Sequence, residues 1–136
     1  MINQFQAKMK TKYKKIQKGN IRKKSFNNKL VFGSFGLKAI KSGLIKANQL
    51  EATRQVIRRK LKRKGKLWIK IFPYTPMTSK SVGVRMGKGK GSINYWCYKV
   101  KTGTILFEIC GVTKTLALNA LLSGSHKLPV KTKLVY

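Results

Sequence analysis

The sequence predicts an α+β fold built from an antiparallel sheet, two helices and a basic N-terminal extension. Three observations predict it. Short apolar or alternating stretches bounded by Gly and Pro recur along the chain, the pattern of strands joined by tight turns. Two other segments carry their apolar residues at helical spacing. The texture also changes at Lys29: residues 1–28 are rich in Lys and poor in apolar side chains, whereas the rest reads as a folded domain. The division is therefore a basic arm over 1–28 and an α+β domain over 29–136. At 136 residues and 42% hydrophobic content, the chain can bury one core.

Each element has its own signal. In the arm, Lys8, Lys10, Lys12, Lys14, Lys15 and Lys18 repel one another too strongly to fold alone. Phe5, Tyr13 and Ile16 are the side chains there that dock or stack. Such an arm either stays solvated or orders on a nucleic acid, and its charge density favours the second. Residues 30–40 read as a strand interrupted by glycines, with Ser42-Gly43 as a turn. Residues 47–64 read as a helix ended by Gly65. At 100° per residue, Ala47, Leu50, Ile57 and Leu61 share one stripe, opposite Arg58, Arg59, Lys62 and Arg63. Arg54 lies at the stripe's edge, where Glu51 offsets it.

Leu67 to Phe72 is a strand stopped by Pro73, and Pro76 keeps 73–79 as a loop. Val82, Val84 and Met86 alternate as in a further strand. After Gly87-Lys88-Gly89-Lys90-Gly91, residues 93–101 and 104–110 read as a hairpin turning at Thr102-Gly103. Residues 113–123 form a second helix closed by Gly124, and Lys127 to Tyr136 is extended around Pro129. The expected order is β-α-β-β-β-β-α-β.

Charge bounds the function. The chain carries 32 Lys or Arg against two acids, Glu51 and Glu108, for a formal charge of +30. Such a field opposes compaction unless a polyanion neutralises it, and phosphate backbones are the densest common one. Only Arg22, Arg54, Arg58, Arg59, Arg63 and Arg85 are arginines; lysine point charges make up the rest. An A+T-rich coding sequence explains that lysine excess equally well. General acid–base catalysis draws on His, Asp or Glu. Here only Glu51, Glu108 and His126 exist, so no catalytic residue is assigned. Glu108 is expected to be satisfied by a neighbouring Lys. Cys97 and Cys110 do not make a zinc site and read as two reduced thiols, with no metal and no cofactor expected. No apolar run is long enough to span a bilayer.

The Gly-Lys loop at 87–91 is the sharpest local feature. Alternate glycines let backbone N–H groups approach a phosphate, and Lys88 and Lys90 add charge. It matches neither the Walker A pattern nor the dinucleotide fingerprint. The alternative is a flexible, lysine-solubilised hairpin loop. Tyr95, Trp96 and Tyr98 follow directly; alternating aromatics in a strand are more often core than base-stacking platforms.

Several segments together resemble the bacterial-type ribosomal large-subunit protein sixteen family. They are Lys10-Thr11-Lys12-Tyr13-Lys14-Lys15 with Lys18-Gly19, Phe32-Gly33-Ser34-Phe35-Gly36-Leu37-Lys38-Ala39, and Gln49-Leu50-Glu51-Ala52 with Arg54. Further on come Lys62-Arg63-Lys64-Gly65-Lys66-Leu67-Trp68-Ile69 and Val84-Arg85-Met86-Gly87-Lys88-Gly89-Lys90-Gly91 followed by Tyr95-Trp96. Leu128-Pro129-Val130-Lys131-Thr132 closes the series. The resemblance implies a compact α+β sandwich that binds large-subunit rRNA and helps shape the A-site tRNA corridor, beside neighbouring ribosomal proteins. No membrane insertion and no homo-oligomer are expected. The RNA-facing residues it implies are Lys10, Lys12, Tyr13, Lys14, Lys15, Lys18 and Arg22 in the arm, and Arg58, Arg59, Lys62 and Arg63 on the helix. In the loop they are Arg85, Lys88, Gly89, Lys90 and Gly91. The Lys/Asn/Ile bias and the two cysteines point to a mitochondrial member, with a bacterial cytoplasm or a plastid as the alternative. Two other functions compete: a non-ribosomal nucleic-acid packaging protein, and a membrane-surface module using the helix at 47–64.

Overall fold

In the computed structural model, which describes residues 13–21 and 29–136, seven strands and two helices form two antiparallel sheets. The strands are β1 (Phe35–Ala39), β2 (Gly43–Lys46), β3 (Lys66–Ile69), β4 (Thr75–Ser79), β5 (Ser92–Val100), β6 (Ile105–Cys110) and β7 (Thr132–Val135). The helices are α1 (Ala47–Lys60) and α2 (Lys114–Ser125). One sheet has the order β3-β6-β1-β7 and the other β2-β5-β4. The α+β class holds, with its antiparallel pairing and its two helices.

Where the elements differ from expectation, tertiary partners explain it. Residues 30–34 lie outside the strand, and the backbone amides of Val31, Phe32 and Gly33 among them serve a buried side chain instead. Gly43 opens strand β2 and is not a turn residue; its partner is Val100 of β5. Pro76 does not hold 73–79 as a loop. Strand β4 lies at the edge of its sheet, where a missing N–H costs nothing, and Pro76 pairs with Trp96. Residues 82–86 are no strand: Val82 and Met86 are 105% and 99% exposed, and Gly83 has φ +85°. Among the described residues no strand pairs with them, and left-handed Gly83 and Gly87 interrupt an extended backbone there. Strands β5 and β6 do turn at Thr102-Gly103 but are not a hairpin pair. The first joins β2 and β4, and the second joins β1 and β3, so this turn carries the chain from one sheet to the other.

Leu50, Ile57 and Leu61 of the predicted stripe are fully buried, each contributing about 1.5–3 kcal/mol by leaving water. Thr53 joins them, its hydroxyl donating to the carbonyl of Gln49 at 2.8 Å. Helix α1 packs on α2, β2 and β5, while α2 also packs on β1 and β7. Gly124 does not end α2. It lies within the helix at the α1 contact, where a Cβ would stand 2.7 Å from Ile57 Cγ1. Phe107, Ile109, Leu37 and Leu106 fill the rest of the core.

Glu108 is buried in β6, opposite Gly36 of β1 and Trp68 of β3. A lysine is not its main partner. Its Oε2 accepts three backbone N–H bonds, from Val31 at 3.2 Å, Phe32 at 2.7 Å and Gly33 at 2.9 Å. Lys70 Nζ stands 3.8 Å from Oε1 and 4.0 Å from the centroid of the Phe32 ring. That ring in turn stacks on Trp68 with centroids 6.0 Å apart. A Cβ on Gly33 would meet the Ile109 carbonyl at 2.7 Å, so only glycine lets this segment lie down on the sheet. Burial pushes the Glu108 carboxyl up, but the hydrogen bonds from Phe32, Gly33 and Val31 and the Lys70 charge outweigh it, so the group sits below the usual carboxylate range.

Glu108→Ala leaves three amides and a cation without their acceptor and should cost about 3–5 kcal/mol in denaturant unfolding. Because the folded-state pKa is depressed, the carboxylate's contribution is complete above the ordinary Glu range. It is lost as pH falls through the lower folded value. An acid titration of stability should therefore be flatter for Glu108→Gln than for the natural chain. Parallel curves would overturn this account.

Candidate nucleic-acid interface

The positive charge is organised in two places. The first is the outer face of α1. Arg54, Gln55, Arg58, Arg59, Lys62 and Arg63 line a cleft of about 580 Å³. Arg54 is occupied by Glu51, to which it donates from Nε at 2.8 Å and from Nη2 at 2.6 Å. That hydrogen bond outweighs burial and lowers the Glu51 carboxyl from its ordinary value. Arg58, Arg59, Lys62 and Arg63 face the cleft without such an acid. Like charges one helical turn apart, such as Arg54 and Arg58, work against the isolated helix, and beyond Glu51 no acid of the chain offsets this face.

The helix does not run to Gly65. It ends in a Schellman motif, with Lys62 N–H donating to the Arg59 carbonyl at 3.1 Å and Arg63 N–H to the Arg58 carbonyl at 3.3 Å. The left-handed position of this motif favours glycine, yet Lys62 and Arg63 occupy it and the next residue with φ +50° and +64°. Two of the residues expected to face RNA thus sit in costly backbone conformations. A second cleft, of about 550 Å³, continues from Arg54 and Arg58 to Lys66, Leu67, Trp68 and Ile69 of β3.

The second place is the loop between β4 and β5, residues 80–91, together with the segment 13–21. Gly87, Lys88 and Gly89 all have positive φ, +101°, +51° and +76°, which reverses the chain tightly with the lysine outward. Gly87 and Gly89 are the glycines of the loop's tip that take the left-handed conformation. Gly91 is different: it closes the loop's base, where a Cβ would stand 2.3 Å from the Ser79 carbonyl. Arg85, Lys88, Gly89 and Lys90 are exposed. Tyr13, Lys14, Lys15 and Lys18 lie in the described part of the arm and are exposed too. Lys15 Nζ donates to the Lys90 carbonyl at 2.9 Å, which brings arm and loop together. Lys10, Lys12 and Arg22 lie outside the described residues.

Pattern reading missed Lys80 and Lys99, which bind loop and arm carbonyls. Lys80 is recognisable only once β4 is known to end beside it, and Lys99 looked like an ordinary strand residue. The aromatics divide. Tyr98 packs edge-on against Tyr74 at 5.7 Å and adjoins the core. Tyr95 and Trp96 line a crevice of about 360 Å³ beside the start of α1, where Lys46 Nζ lies 4.6 Å above the Tyr95 ring. Cys97 and Cys110 are free thiols, and burial raises the Cys97 value against the pull of Lys99. Among the described residues, no group of three or more His, Cys, Asp or Glu is placed to hold a metal ion. No described helix is long and apolar enough to cross a membrane.

The family model for ribosomal protein L16p/L10e matches residues 8–135. Large ribosomal subunit protein uL16 of Blochmanniella pennsylvanica is 50% identical over 126 residues, covering 93% of this chain and 94% of that protein. The uL16 proteins of Cereibacter sphaeroides and Kosmotoga olearia are 50% and 52% identical over 127 residues. They cover 93% of this chain in each case, and 93% and 90% of their own lengths.

Lys62→Gly relieves a left-handed lysine and should raise stability by about 0.5–1 kcal/mol. Thermal unfolding of the RNA-free chain reads this directly. A lower midpoint would show that the Lys62 side chain is held by the fold and not merely tolerated by it.

Proposed function

Because the chain belongs to the ribosomal protein L16p/L10e family, we propose that it is a structural constituent of the large ribosomal subunit. In that role it binds large-subunit rRNA and helps shape the A-site tRNA corridor, next to other ribosomal proteins. The observation that carries the reading is the family match, which spans the arm, the helix and the Gly-Lys loop in one alignment over residues 8–135. Physical features support RNA as the partner. The charge is spread over an arm, a helix face and a loop, which suits a protein embedded in folded RNA better than one with a single binding stripe. Lys62 and Arg63 keep strained conformations at the positions expected to meet phosphate. Both acids are spent inside the fold, Glu51 on Arg54 and Glu108 on backbone amides, which suits a structural role and leaves little for acid–base catalysis. We assign no cofactor.

The Lys/Asn/Ile bias supports a mitochondrial ribosome; the relatives compared are bacterial, which suits the alternative of a bacterial cytoplasm.

The chain should co-sediment with large subunits through moderate salt in a sucrose gradient. Recovery only in a free, low-mass pool would overturn the proposal. Gradients of isolated mitochondria test the compartment in the same way. Lys88→Ala combined with Lys90→Ala should lower the slope of log K against log salt for rRNA binding by about 2. An unchanged slope would mean that the loop meets no phosphate.

A further inference from the structure

Segment 13–21 and loop 80–91 are distant in sequence, yet they hold each other through reciprocal bonds. Lys15 Nζ donates to the Lys90 carbonyl at 2.9 Å, and Lys90 Nζ donates back to the Ile16 carbonyl at 2.5 Å. Lys99 Nζ, from β5, donates to the carbonyl of Lys18, and within the loop Lys80 Nζ donates to the carbonyl of Gly87. Gly19 is left-handed, with φ +54°, and a Cβ there would be in ordinary contact with Lys99 Nζ at 3.7 Å. The result is a seam that joins Lys15, Ile16 and Lys18 to Lys90 and Lys99, with Lys14, Lys80 and Lys88 exposed on the same two segments.

We propose that arm and loop are two banks of one composite site that grips a single RNA phosphodiester strand along the seam. They would not act as two independent contacts. The proposal rests on the rRNA-binding reading and adds to it the interdependence of the two segments. The ammonium–carbonyl bonds are solvent-exposed, so each is weak alone, and the like charges on the banks oppose closure. A phosphate strand between the banks removes that repulsion on both sides, and it touches both only when they are together. Closure and binding therefore promote each other by linkage. Val82 and Met86, fully exposed on the loop, offer apolar surface to the bases of such a strand.

A double-mutant cycle tests it. Full-length chains carrying Lys15→Met, Lys90→Met or both are titrated with a large-subunit rRNA transcript and with oligouridylate. Lys14→Met, Lys88→Met and their combination form the control cycle. They remove the same charges, but no described hydrogen bond joins Lys14 to Lys88 across the seam. Each clasp substitution should weaken binding about tenfold. The Lys15/Lys90 double should then be no more than about tenfold weaker, against about a hundredfold for independent contacts. The control pair should multiply. With RNA bound, amide exchange of residues 13–21 should be slow in the natural chain and fast in Lys90→Met. A Lys15/Lys90 pair that multiplies as the controls do, with arm exchange unaffected by Lys90→Met, overturns the composite site and leaves the RNA-binding reading standing. Absence of binding by the natural chain overturns both.

Discussion

The carboxylate of Glu108 is the interaction on which the arrangement depends. It is buried in the central strand β6 and collects the N–H groups of Val31, Phe32 and Gly33 on one oxygen. A buried carboxylate without donors is prohibitively costly, so the segment that supplies them has no freedom to pair as a strand. That constraint fixes where residues 29–34 lie and sets Phe32 on Trp68. It also draws Lys70 to the same spot, between a carboxylate and an aromatic face. Strand β6 is thereby joined to β1, β3 and the segment entering the domain. A chain short of acids has used one of its two to hold its main sheet together.

The other acid, Glu51, is spent on Arg54 at the edge of α1. With both negative side chains bound inside the protein, the positive field at the surface is nearly undiluted. The fold then distributes it. Helix α1 turns its apolar stripe to α2 and its cations to a cleft, and the β4–β5 loop carries glycine-spaced lysines against the arm. Lys62 and Arg63 show what this costs: a helix end that would favour glycine is made of cations in left-handed conformations. The result is positive charge presented on more than one side of the fold.

The sequence pattern made much of this readable for identifiable reasons. The stripe Leu50, Ile57, Leu61 was visible because helical periodicity is local. The class, the two helices and the long strand β5 followed from local signals of this kind; Arg58, Arg59, Lys62 and Arg63 do share a cleft, but Lys62 and Arg63 reach it from beyond the helix end. What pattern could not show depended on partners distant in the chain. Val82, Val84 and Met86 alternate like a strand, but alternation alone supplies no partner, and no described strand pairs with them. Pro76 forbids a central strand and permits an edge one, and only the sheet order tells which applies. A turn at Thr102-Gly103 looks the same whether the next strand returns to its own sheet or crosses to the other.

By itself, then, the sequence determined the charge, the scarcity of acids, the helical faces, the glycine-lysine loop and the family motifs, because composition and short spacings are properties of the chain alone. Tertiary structure decided that Glu108 binds backbone amides, that Gly124 is a helix–helix contact, and that Lys15 and Lys90 clasp across the arm and the loop. Each of these joins atoms separated by tens of residues. Their energies depend on burial and mutual approach, which exist only once both sheets have closed on the core.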